Sequence, residues 1–143
     1  MLLVILLVST GITGCSQDFE KVPPTQAGEA TIEMGRKFND QFYNTLKQGR
    51  AYEFGTEATA EVKRKISPEM QKSLYKQVKD QFGDYVESEF VEAWIQKSNP
   101  QYKILRYKGK FSKSETKLEL RVVYDGSNKV TGFFIKPWSD MLK

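Results

Sequence analysis

The hydrophobic period of this chain changes at Gly83. Before it, apolar residues recur every three or four positions; after it they alternate. From Ala30 to Gln48, Met34, Phe38, Phe42 and Leu46 step by four, and Gly49 stands where a helix stops. Arg50 to Lys65, with Tyr52, Phe54, Ala58, Val62 and Ile66, predicts one or two short helices broken near Gly55. Ser67-Pro68-Glu69 then reads as an N-cap, a proline at the first helical position and an acid in the first turn. Met70, Leu74, Val78 and Phe82 are the expected buried stripe of that helix. Beyond Gly83 the pattern predicts four strands, about Val86 to Gln96, Tyr102 to Phe111, Thr116 to Tyr124 and Lys129 to Lys136. Turns fall at Asn99-Pro100, Ser112-Lys113-Ser114 and Asp125-Gly126-Ser127-Asn128. In the third strand Leu118, Leu120, Val122 and Tyr124 share one face and Lys117, Glu119 and Arg121 the other. Helices followed by a meander define an α+β class, with N-terminal helices packed on one face of a four-stranded antiparallel sheet.

The N-terminus obeys a different logic. Met1 to Val8 reads MLLVILLV, too short to span a bilayer, which takes ~20 apolar residues. It has the length of a signal-peptide core and ends in small residues, although no Lys or Arg precedes it. Ile12-Thr13-Gly14-Cys15 resembles the lipobox of bacterial lipoproteins, in which the Cys becomes the lipidated N-terminus. Cys15 is the one Cys of the chain. The resemblance implies residues 1–14 as a lipoprotein signal peptide and two or three acyl chains on Cys15. One chain binds only marginally; several give a stable anchor. It also implies a location facing the periplasm or cell exterior, on the outer membrane if the host is diderm. Residues 15–29, polar with Pro23-Pro24, are the expected tether, and residues 30–143 the folded domain. Phe19 and Val22 are the tether residues able to dock on that domain.

The residue inventory closes off much chemistry. The chain has no His, which removes the commonest neutral-pH base and metal ligand. One Cys excludes intrachain disulfides and thiolate clusters. Asp125-Gly126-Ser127-Asn128 lacks the spacing of a calcium loop, so no metal and no cofactor is expected. Nine Phe, seven Tyr and two Trp supply large apolar areas to a single core.

A family resemblance rests on punctuation along the chain. Lys47-Gln48-Gly49 ends a long first helix and Ala51-Tyr52-Glu53-Phe54 follows it. Ser67-Pro68-Glu69 opens a helix that Gln81-Phe82-Gly83 closes. Tyr124-Asp125-Gly126 leads into Gly132-Phe133-Phe134-Ile135-Lys136-Pro137-Trp138. From about Ala30 to Trp138 the chain resembles the nuclear transport factor 2-like superfamily, within it uncharacterised bacterial domains of secreted or lipid-anchored proteins. The resemblance implies a cone-shaped fold, a bent sheet wrapping a long helix with a pocket between them. Members include isomerase-like enzymes, cyclases, carriers and non-catalytic modules, so function rests on the site residues.

Candidate pocket-lining residues are Tyr43, Tyr52, Trp94 and Tyr107. An isomerase-like site needs a carboxylate beside a Tyr in an apolar pocket. Asp40 is expected to face away from the Phe38–Phe42 stripe, and Glu87, Glu89, Glu92 and Glu119 to lie on a solvated strand face. Lys103, Arg106, Lys108, Lys110, Lys117 and Arg121 form a candidate basic face for anionic headgroups, cell-wall polymers or an acidic partner. The plainer reading is an acidic strand paired with a basic one. The resulting expectation is a lipid-anchored, non-catalytic binding or interaction module. Its partners would be the membrane through Cys15 and an envelope protein or small ligand, with no nucleic acid; a second copy in a homodimer is a further candidate. The alternative is a small-molecule carrier or an isomerase- or cyclase-like enzyme using the pocket.

Overall fold

The computed structural model describes residues 18–142. Cys15 and residues 1–14, the expected signal peptide, lie outside the described residues. The order is β1 (Phe19–Val22), α1 (Pro24–Ala27), α2 (Glu29–Lys47), α3 (Ala60–Lys65), α4 (Pro68–Phe82), β2 (Tyr85–Gln96), β3 (Lys103–Phe111), β4 (Ser114–Tyr124) and β5 (Val130–Pro137). The strands form one open antiparallel sheet in the order β1-β2-β3-β4-β5.

The sheet therefore has five strands rather than the four expected. The added strand comes from the segment read as a tether: Phe19 pairs with Gln96, Lys21 with Trp94 and Val22 with Ala93. Pro23 and Pro24 end that strand and start a helical turn instead of extending a spacer. Asp18 fastens its beginning, accepting from Ser98 N (3.1 Å), Ser98 Oγ (2.5 Å) and Gln96 Nε2 (2.9 Å). The Asp18 carbonyl accepts from Lys97 N at 2.7 Å.

Helix α2 lies where its period placed it. Phe38, Phe42, Tyr43 and Leu46 are buried against the sheet, while Met34 stays partly exposed at 38%. Ser67 caps α4 by accepting from Met70 N at 3.1 Å, and Gly83 ends it with φ +87°. Leu74 and Val78 are buried, whereas Met70, 40% exposed, sits in the first turn and faces solvent. Between Arg50 and Lys65 only α3 is regular. Tyr52 and Phe54 are held in an extended segment whose backbone is bound by the buried Gln71. Tyr52 N donates to Gln71 Oε1 (2.8 Å) and Gln71 Nε2 to the Tyr52 carbonyl (3.1 Å).

Register irregularities in β2 between Tyr85 and Glu87 and between Phe90 and Glu92 leave Val86 and Val91 as extra residues, both solvent-facing. Each β-bulge resets which side chains face the helices. Tyr85, Phe90, Ala93 and Ile95 therefore pack on the core, while Glu87, Glu89, Glu92 and Trp94 point away. The register sets Glu87 against Lys110, Glu89 against Lys108 and Glu92 against Arg106, an acidic strand paired with a basic one.

Candidate functional site

The sheet has two faces of opposite chemistry. On the helix-facing side Phe38, Phe42, Tyr52, Phe54 and Phe133 meet with ring centroids 4.9–6.5 Å apart. Beside them Tyr43 packs on Phe42, Tyr85 and Phe111. The hydroxyl of Tyr107 donates to the Ile32 carbonyl on α2 at 2.6 Å, and burial pushes its pKa up. Gly35 allows this approach: a Cβ there would lie 2.9 Å from Cζ of Tyr107.

Of the residues expected to line a pocket, Tyr43, Tyr52 and Tyr107 are on this side and are part of the packed aromatic core. Trp94 is not brought to them. It lies on the outer face, against Ile104 and Val123.

Three carboxylates meet a tyrosine. Glu57 accepts from Tyr52 Oη (2.8 Å) and from Gly55 N (3.0 Å). Burial works to raise Glu57, but these donors and Lys63 outweigh it and hold the carboxyl below its usual range; burial pushes Tyr52 up. Asp40 accepts from Tyr85 Oη at 2.6 Å and from Arg36 Nη1 at 2.7 Å. Asp84 accepts from Tyr75 Oη at 3.1 Å, and the Tyr75 hydroxyl is pushed up to about 12, chiefly by burial. A carboxylate held low is a weak base, and a tyrosine held high stays protonated. The Tyr52–Glu57 and Tyr75–Asp84 contacts therefore suit fixing a loop and a helix end better than moving a proton.

The outer face overturns an expectation. Glu92 and Glu119 do not sit in solvent: they are buried at 9% and 0%, together with Arg106 at 0% and Arg121 at 8%. Alternation of charged with apolar residues looks the same whether water or an ion-pair network covers the charged side. Here Arg106 donates through Nε to Glu119, through Nη1 to Glu92 and through Nη2 to the Ser139 carbonyl. Arg121 Nε donates to Glu119 Oε2 at 2.9 Å, and Lys21 Nζ reaches Glu92 Oε2 at 2.8 Å. Burial works to raise Glu92, but Lys21, Trp94 and Arg106 hold its carboxyl below the usual range. Burial also pushes Arg121 down against the attraction of Glu119.

The C-terminal segment closes over this network. Trp138 N donates to the Lys117 carbonyl (3.0 Å), and its ring lies 4.2 Å from the Arg106 guanidinium and 4.6 Å from Lys108 Nζ. Phe134 packs under Arg121 at 4.3 Å, and Leu142 lies on Ile104 and Val123.

The expected basic face is consequently divided. Arg106 and Arg121 are locked inside, Lys108 is half-buried against Trp138, and Lys110 and Lys117 are exposed. Lys103 belongs to the other side of the sheet, toward Gly28 between α1 and α2. The pairing of acidic β2 with basic β3 is legible in the sequence, but the burial of the network and the Tyr52–Glu57 pair carry no signal there. In the β4–β5 turn, Asp125 Oδ1 accepts from Ser127 N and Lys129 N, both at 2.9 Å, the geometry of an Asx turn. Among the described residues no three Asp or Glu side chains are grouped to hold a metal ion, and no helix is long and apolar enough to cross a membrane.

These features define a mixed α+β domain with a five-stranded antiparallel sheet. Residues 39–133, more than half of the chain, match DUF3887, a family described as a protein of unknown function, and the chain belongs to that family. No curated protein and no solved structure matches it.

Proposed function

We propose that this is a lipid-anchored envelope protein whose domain is a non-catalytic binding or interaction module of nuclear transport factor 2-like form. The observation that carries the reading is the position of Cys15, the sole Cys, at the end of an apolar segment and three residues ahead of Asp18, whose side chain is bound to the end of the sheet. Helix α2 laid on one face of the sheet, and bulges of the kind that bend a strand, support the cone-shaped form. The non-catalytic reading is supported by the fate of the charged groups. Arg106, Glu119 and Glu92 are engaged with one another, and the space between α2 and the sheet is taken up by aromatic rings.

An envelope protein or a small ligand is the partner this module would meet. The test is the intact mass of the protein from the membrane fraction of its host. A mass of Cys15 to Lys143 plus a diacylglycerol group, with or without a further acyl chain, supports the anchor. An unmodified full-length mass overturns it. A Cys15→Ala variant is expected to leave the membrane fraction.

A further inference from the structure

The antiparallel order gathers at one end of the sheet the start of β1, the β2–β3 turn and the β4–β5 turn. Asp18 is clamped to that end by its contacts with Ser98, Gln96 and Lys97. Only Ser16 and Gln17 separate it from Cys15, and a trans chain of that length reaches at most about 11 Å. An anchored domain therefore cannot be lifted away from the bilayer, and one end of it is held close.

The chemistry of that end matches a lipid surface. Lys97 and Lys129 are exposed there, and Lys103 stands at the edge of β3. Of the neighbouring acids, Asp18 is turned onto Ser98, Asp125 onto its own turn and Glu57 onto Tyr52 and Gly55, while Glu20 is exposed. Phe19, Trp94 and Tyr102 are only partly buried on the outer face beside this end. Aromatic and basic side chains together are the composition that settles at headgroup level.

We propose that the domain rests on the membrane by this end, the β2–β3 and β4–β5 turns meeting anionic headgroups; this inference rests on the lipid anchor proposed above. The opposite end, with the Ser112-Lys113 turn, then points away. The nine residues of β3 separate the two ends by about 30 Å.

Because the lipid consumes the single Cys, an introduced Cys takes a fluorescent label alone. The full lipidated chain, its mass checked first, is placed in phosphatidylglycerol–phosphatidylcholine vesicles carrying a headgroup nitroxide quencher. Labels at Gln101→Cys and Ser127→Cys are expected to be quenched several-fold more than a label at Lys113→Cys. In purely zwitterionic vesicles that contrast is expected to shrink. Equal quenching at all sites, or stronger quenching at position 113, overturns the orientation while leaving the anchor standing. An unchanged contrast without anionic lipid overturns the headgroup preference alone. A mass lacking the lipid overturns the anchor and this inference with it.

Discussion

The two faces of one sheet are stabilised by opposite means. The helix-facing side buries Leu118, Leu120, Val122, Phe133 and Ile135 against the aromatic residues of α2. The outer side buries two arginines and two glutamates beneath the C-terminal segment. Apolar burial gains in proportion to area and tolerates imperfect geometry. A buried ion network gains only where each charge meets its partner, because taking the charges out of water costs several kcal/mol per ion. The first face therefore supplies stability, and the second ties strands β2, β3 and β4 and the C-terminal segment into one arrangement.

This contrast can be broken from either side. The largest effect is expected from Phe42→Ala at the centre of the aromatic cluster, a loss of about 3–5 kcal/mol in urea unfolding. Arg106→Met should cost about 3 kcal/mol for a different reason, since it strands Glu119 and Glu92 without their main partner. A loss under about 1 kcal/mol would mean that the network is solvated in practice. Gly35→Ala pits a gain in helix propensity against the Tyr107 ring, with a net loss of about 1–2 kcal/mol. Adding Tyr107→Phe should return part of that loss, and simple additivity of the two substitutions would show that the close approach is not tight.

Acid distinguishes the faces further. The folded Glu92 carboxyl lies below its ordinary value of 4.5, so the stability it adds is present above that pH and lost as pH falls through the folded value. Urea midpoints of the natural chain and of Glu92→Gln should therefore converge below pH 4.5, and parallel curves would remove Glu92 from the account. The smallest effect is expected from Lys110→Ala. Its pair with Glu87 spans 3.9 Å between exposed side chains, and the change should stay within about 0.5 kcal/mol.

What was legible in the sequence followed the same division. The helix-facing side was readable because burial against a helix imposes a period, as in Phe38, Phe42 and Leu46 or Leu118 to Tyr124. Local capping chemistry was readable at Ser67 and Gly83, where one residue type solves one backbone problem. The cross-strand charge pairs were readable too, since opposite signs fell on adjacent strands. Strand β1 was not, because four residues at a sheet edge take their conformation from the partner strand rather than from their own pattern. The buried state of Glu92 and Glu119 was hidden because it depends on Trp138 and Ser139 folding back, a contact between distant parts of the chain. Trp94 was misplaced for a related reason: the bulge at Val91 shifts its side chain to the outer face.

The placement of the two tryptophans has a practical consequence. Trp94 and Trp138 are the only indoles in the chain, and both lie on the outer face of the sheet. The aromatic core on the other side is built from Phe and Tyr alone. Intrinsic tryptophan emission therefore views the ion network and its C-terminal cover, while far-ultraviolet dichroism views the helices. The protein carries a separate optical channel for each of its two halves, so a ligand or partner that loosens only one of them will announce which one it touched.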